Sequence, residues 1–156
     1  MKRPAPAIAI YGLLPIMAVI LAAACVRFAP PALDDPPAVL ARAVLCSSLD
    51  QKVDWAEPAG EKAIFKKGTD ASVYSFLELK DLRGAHSLFW KWYDPSRRLY
   101  RETEGIAVGE SGKFFDRYIA WDLINVSEGK ENGVWTIAVF MDGRLFVSKE
   151  FEIKED

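Results

Sequence analysis

The sequence predicts an all-β domain, an antiparallel sandwich or barrel of about seven or eight short strands. Three observations carry that prediction. Apolar residues recur with a period of two through most of the chain after residue 43, the pattern of half-buried strands. Turn formers punctuate those runs at Asp94-Pro95-Ser96, Asn132-Gly133 and Asp142-Gly143. Trp90, Trp92, Trp121 and Trp135 fall inside the runs and are the expected heavy members of one core.

Taken in order, Val44–Leu49 and Lys62–Phe65 read as short strands, with a short helix over Ala38–Leu45 as the alternative because alanine and leucine are frequent there. Val73–Leu79 follows. In His86–Tyr93, Leu88, Trp90 and Trp92 share one face, and Phe89, Lys91 and Tyr93 the other. Leu99–Val108 is the next strand. Gly109-Glu110-Ser111-Gly112-Lys113 reads as a flexible loop. A phosphate loop would need glycine where Ala107 stands and Ser or Thr where Phe114 stands. In Phe115–Ile124, the shared parity of Phe115, Ile119, Trp121 and Leu123 points them inward. At the end of the chain, Trp135, Ile137 and Val139 alternate, as do Leu145, Val147, Phe151 and Ile153. Between them, Asp142-Gly143 supplies the positive φ that a tight hairpin requires.

Several of these residues carry a resemblance. They are Trp90-Lys91-Trp92-Tyr93-Asp94-Pro95, Trp121, Gly133-Val134-Trp135-Thr136-Ile137-Ala138-Val139, Asp142-Gly143 and Phe151-Glu152-Ile153. Together they resemble immunoglobulin-like domains of exported bacterial proteins, over roughly Phe76 to Ile153. The resemblance implies an immunoglobulin-like β-sandwich whose last two strands form a hairpin, and it implies no particular activity. The antibody-type disulfide has no counterpart, because Cys46 has no second cysteine within the domain. A lone cysteine after Val44 and Leu45 is expected to be a small buried apolar residue.

The N-terminus carries a second resemblance. Lys2 and Arg3 precede an uncharged stretch from Ala5 to Ala24 that closes on Leu21-Ala22-Ala23-Ala24-Cys25. A basic start, an apolar middle and small residues before a cut are the parts of a secretory signal. With cysteine after the cut, the segment resembles a bacterial lipoprotein signal peptide, although that family most often has leucine where Ala22 stands. The resemblance implies a signal peptide over residues 1–24 and a lipid (diacylglycerol, palmitate) on Cys25. It also implies a membrane-anchored protein of the cell envelope, its domain outside the cytoplasm. Val26 replaces the aspartate that retains many lipoproteins at the inner membrane, so the periplasmic face of the outer membrane is favoured. The alternative is a single-pass protein with an uncleaved N-terminal anchor helix, since the stretch is long enough to span. Residues 25–43 hold Pro30-Pro31 and Pro36-Pro37 and read as a stiff Pro-rich stalk. The β domain occupies residues 44–156.

Residues 25–156 keep all 22 acidic residues and lose Lys2 and Arg3 from the 20 basic ones, a net charge of −4. That balance gives no electrostatic case for nucleic acid. The one histidine, His86, has no ligand partner at metal spacing, and no serine sits in a nucleophile elbow, so neither metal nor cofactor is expected and no catalytic residue is assigned. The expected function is a non-catalytic, lipid-anchored accessory module that binds an envelope protein. The alternative is a glycan or cell-wall binding module. Phe89, Tyr93 and Tyr100, outside the core-facing set or near a turn, form the candidate binding surface.

Overall fold

The computed structural model describes residues 38–52, 55–126 and 129–156. The expected signal segment, Cys25 and most of the stalk lie outside these residues. Among these residues eight strands form: β1 Val39–Lys52, β2 Trp55–Glu61, β3 Ile64–Lys66, β4 Ser72–Tyr93, β5 Leu99–Glu102, β6 Ile106–Asn125, β7 Gly133–Met141 and β8 Arg144–Lys154. No helix occurs among the described residues. The described residues are all-β, an open curled sheet ordered β2-β1-β4-β7-β8-β3, with β5 and β6 pairing β4 outside that path. All pairs are antiparallel except β3 with β8, which is parallel and departs from the purely antiparallel expectation. The segment joining β2 to β3 bridges the two ends of the path: Lys62 N–H donates to Leu45 O, and Glu152 N–H donates to Ala63 O.

The long strand β4 organises the sheet. The sequence suggested two strands, Val73–Leu79 and His86–Tyr93, but the backbone runs through without a break. Asp81 (φ 54°) and Gly84 (φ 83°) bend the strand instead of ending it. The bend also changes which parity faces inward, from Val73, Leu77 and Leu79 to Leu82, Leu88, Trp90 and Trp92. β6 follows the same bend. The expected loop at 109–113 lies inside this strand: Arg83 pairs Phe114 while Gly84 pairs Glu110, so residues 111–113 bulge out of the ladder. The expected strand Leu99–Val108 is divided between β5 and β6. Thr103 marks the break, its Oγ1 accepting from Trp90 N–H at 2.8 Å.

The curl brings both halves of β4 onto one core. Trp90, Trp92 and Trp135 are fully buried there with Leu77, Leu79 and Ile137. Their indole N–H groups find acceptors at Ser75 Oγ (3.1 Å), Asp122 Oδ2 (2.7 Å) and Glu131 O (2.9 Å). Phe151 packs between Trp92 and Trp135, with ring centroids at 6.0 and 6.4 Å. The β7–β8 hairpin forms as expected, turning at Asp142 (φ 50°) and Gly143 (φ 77°).

Two further expectations are corrected, and one strand was not foreseen. The alternative helix at Ala38–Leu45 is strand: Val39 to Cys46 pair with β4, and tertiary pairing overrides a weak local preference. β2 was not anticipated, although it holds seven residues, Pro58 among them. Pro58 is accommodated because β2 pairs only β1, so the missing N–H falls on an edge. Trp121 is not a core residue. On β6 the inward side chains are Tyr118, Ala120 and Ile124, opposite Leu79, Leu77 and Val73 of β4, and Trp121 points to the other face with 39% of its surface exposed.

Candidate functional site

The outer face of the first half of the sheet carries a second apolar strip. Val44, Phe76 and Trp121 stand side by side on β1, β4 and β6. Phe76 and Cys46 are fully buried, yet neither belongs to the main core. Burial pushes the Cys46 thiol pKa up, as expected of an inert packing residue. Beyond Cys46, β1 outruns β4 and pairs only with β2, so the two form a hairpin arm. Ion pairs lay this arm against the outer face. Glu57 of the arm meets Arg42 at 3.5 Å and Arg117 of β6 at 3.0 Å, and Arg117 Nε reaches Glu78 at 3.1 Å. Arg42 also pairs with Glu61.

Between arm and β6 lies an open groove of about 550 Å³. The arm contributes Gln51, Lys52, Trp55 and Ala56, and β6 contributes Arg117, Ile119 and Trp121. Trp55 is 41% exposed, with Lys52 Nζ 4.7 Å and the Arg117 guanidinium 5.7 Å from its ring. Trp121 tilts against Tyr74 at 6.1 Å. Two large aromatic residues are thus left half in water, while Trp90, Trp92 and Trp135 are buried. Trp55 was not singled out in the sequence. The one signal it offered is an aromatic residue between Asp54 and Glu57, outside any alternating run.

The expected surface residues do not assemble into one patch. Phe89 stacks on Phe140 at 5.0 Å, with Lys91 over both rings, and Tyr93 lies opposite Thr136 on the same side. Both are half-buried. Tyr100 is 47% exposed but packs edge-on against the core residue Trp135 at 5.2 Å, under the Lys130 ammonium at 3.6 Å. Cys25 lies outside the described residues.

His86 forms a structural clamp. Its Nδ1 lies 2.6 Å from Asp142 Oδ2 and its Nε2 2.6 Å from the Arg83 carbonyl, while Asp142 Oδ1 accepts from Ser87 N–H at 2.9 Å. Only the protonated ring donates to both acceptors. Partial burial works against the charge, but the Arg83 carbonyl and the Asp142 carboxylate outweigh it and hold the His86 pKa above its ordinary value. For Asp142, burial is outweighed by the Ser87 N–H and the His86 ring, and its pKa is lowered. With both nitrogens engaged, the ring has no lone pair directed at a hydroxyl, so this His–Asp pair is not arranged to activate a nucleophile. Among the described residues, no group of three His, Cys, Asp or Glu side chains is placed to hold a metal.

The clamp sets a pH dependence. The folded state holds the His86 proton more tightly than the unfolded chain. Its contribution is therefore complete below about pH 6.5 and is lost as pH rises through the raised value. The Asp142 contribution is complete above about pH 3.9 and is lost as pH falls through its lowered value. As pH rises above about 6.5, the wild-type unfolding midpoint is expected to fall more steeply than that of His86→Gln. Thermal melts at stepped pH measure this, and parallel profiles would contradict it.

No family model matches the chain, and no curated protein matches it. Among solved structures, the chain is similar to Pseudomonas fluorescens alkylpurine DNA glycosylase AlkC bound to DNA containing an abasic site analog. The identity is 10% and the TM-score 0.44, over 59% of this chain and 27% of that one. A likeness at that level carries no argument about fold or function.

Proposed function

We propose that this protein is a non-catalytic binding module of a bacterial cell envelope, held to a membrane by lipid on Cys25, with the groove between the hairpin arm and β6 as its docking surface. The observation that carries the reading is the half-exposure of Trp55 and Trp121 on facing walls of one groove. Leaving such rings in water forgoes hydrophobic stabilisation that burial supplies elsewhere in the chain. The engagement of both His86 nitrogens supports the non-catalytic part. The lipobox-like Leu21–Cys25 segment supports the anchor and a domain outside the cytoplasm, and Val26 after it supports attachment at the periplasmic face of the outer membrane. The immunoglobulin-like assignment belongs to the same reading and is supported by the β7–β8 hairpin ending on Phe151-Glu152-Ile153.

Hydroxyl-radical footprinting tests the docking surface. Trp55 and Trp121 are expected to be protected in intact envelopes and reactive in detergent-extracted protein, while Leu145, also exposed, reacts equally in both. Equal reactivity of the two tryptophans in both settings overturns the reading. For the anchor, intact mass should give a mature chain beginning at an acylated Cys25, and Cys25→Ala should abolish the lipid mass. A full-length mass with residues 1–24 retained would establish the uncleaved anchor instead.

A further inference from the structure

We infer that the occupant of the Trp55–Trp121 groove is an oligosaccharide, a linear run of sugar rings stacked on Trp121 and bounded by Trp55; this rests on the binding reading above. The argument begins with dimensions. A volume of about 550 Å³ falls in the range of small-ligand sites, roughly 300–1,000 Å³. A protein partner of ordinary affinity buries about 800 Å² on each side around a continuous apolar centre. Here a charged side chain, Arg117, held by Glu57 and Glu78 outside the lining, stands in the groove beside Trp55. Arg117 and Trp121 share one side of β6 four residues apart, roughly 13 Å along the strand. Trp55 stands against Arg117. Arg117 and Trp121 therefore line a length of groove that suits a short chain of rings.

Polarity points the same way. The groove-lining polar side chains include the Gln51 amide, the Lys52 ammonium and the Arg117 guanidinium. Nε and Nη2 of Arg117 are taken by Glu78 and Glu57, and Nη1 makes no bond among the described residues. Glu57 and Glu78 spend their charge on arginine, and no carboxylate lines the groove among the described residues. Gln51, Lys52 and Arg117 thus offer donors to acceptor oxygens of a ligand. A pyranose with equatorial substituents has acceptor oxygens at its rim and C–H groups on its faces, which matches donors at the edges of the groove and an indole on its wall.

The test uses the full-length chain in a detergent without a sugar headgroup. Two probes are titrated by tryptophan fluorescence and calorimetry: β-1,4-linked N-acetylglucosamine oligosaccharides, and glycan strands from bacterial wall freed of peptide. Saturable binding is expected, tightening with chain length. Trp121→Ala and Trp55→Ala should each weaken it by roughly tenfold or more, the scale of truncating one central contact. Trp121→Phe, which keeps an aromatic face, should retain most of it. An unchanged thermal midpoint in each variant excludes unfolding as the cause. Failure of both probes to bind, or binding indifferent to Trp121→Ala, overturns the inference. Footprinting separates its failure from that of the binding reading. Protection of Trp55 and Trp121 removed by a glycan-cleaving hydrolase supports an oligosaccharide. Protection that survives glycan digestion and disappears on stripping envelope proteins refutes the oligosaccharide and leaves the binding module standing. Absence of protection refutes both.

Discussion

Replacing Trp92 by alanine is expected to cost about 3–5 kcal/mol, the range for deleting a large buried aromatic side chain. Trp92 is fully buried where the two halves of β4 close on each other. Its ring meets Phe151 edge-on at 6.0 Å, and Phe151 in turn touches Phe65 and Trp135. The substitution would open a void among residues of β3, β4, β7 and β8 at once, which limits how far the surroundings can collapse to fill it. It would also remove the indole donor from Asp122 Oδ2, although Arg101 still holds the other carboxylate oxygen at 2.8 Å. A second substitution separates the two losses. Trp92→Phe keeps an aromatic face against Phe151 and loses the hydrogen bond, so it should cost only about 1–3 kcal/mol. Against a typical domain stability of about 5–15 kcal/mol, that cost removes a large fraction of the total. Urea titrations of the two variants beside the wild type measure this. Equal costs would mean that the hydrogen bond, not the packing, holds this junction.

The second large effect is expected at Gly109. Its backbone has φ +71°, and a Cβ there would lie 2.2 Å from the Gly84 carbonyl oxygen on the facing strand. That neighbour is backbone, so it cannot rotate away. The bulge in β6 and the bend in β4 depend on this close approach, since Gly84 pairs at the point where the register shifts by the residues that bulge. Gly109→Ala should combine left-handed strain of about 1–2 kcal/mol with overpacking of about 1–3 kcal/mol. Gly112 provides the internal control. It has nearly the same φ, +75°, but nothing lies within 4 Å of its would-be Cβ. Gly112→Ala should therefore cost only the conformational part, about 1–2 kcal/mol. The difference between the two melting midpoints isolates the steric contact. If the two variants melt together, the bulge does not depend on that approach.

The legible parts of the fold are those that depend on neighbours in sequence. The β7–β8 hairpin was readable because Asp142-Gly143 favours positive φ and both flanking runs alternate. The burial of Trp90, Trp92, Trp135 and Cys46 was readable from parity and chemistry. The continuity of β4 was not. Asp81 and Gly84 have the composition of a turn, and whether a positive φ ends a strand or bends it depends on whether a partner bends alongside, as β6 does. The candidate site was the least legible part. Phe89, Tyr93 and Tyr100 met the sequence criterion for exposed aromatics, yet cross-strand neighbours occupy the first two and a core indole meets the third.

Trp121 makes the physical division plain. From Tyr118 to Ile124 both parities of β6 carry apolar side chains, so alternation alone cannot choose the inward set. The choice rests with β4, whose Val73, Leu77 and Leu79 draw Ile124, Ala120 and Tyr118 to the core side and turn Trp121 outward. Trp55 then meets the same face because the β1–β2 arm is held there by Arg42, Glu57 and Arg117. By itself, the sequence determined the all-β class, the terminal hairpin and the burial of Trp90, Trp92 and Trp135, since a period of two and the φ preferences of Asp-Gly are properties of short segments. Only the tertiary structure decided which indoles share a groove, because that depends on strand register and the bend of two long strands, both set by contacts between residues far apart in the chain.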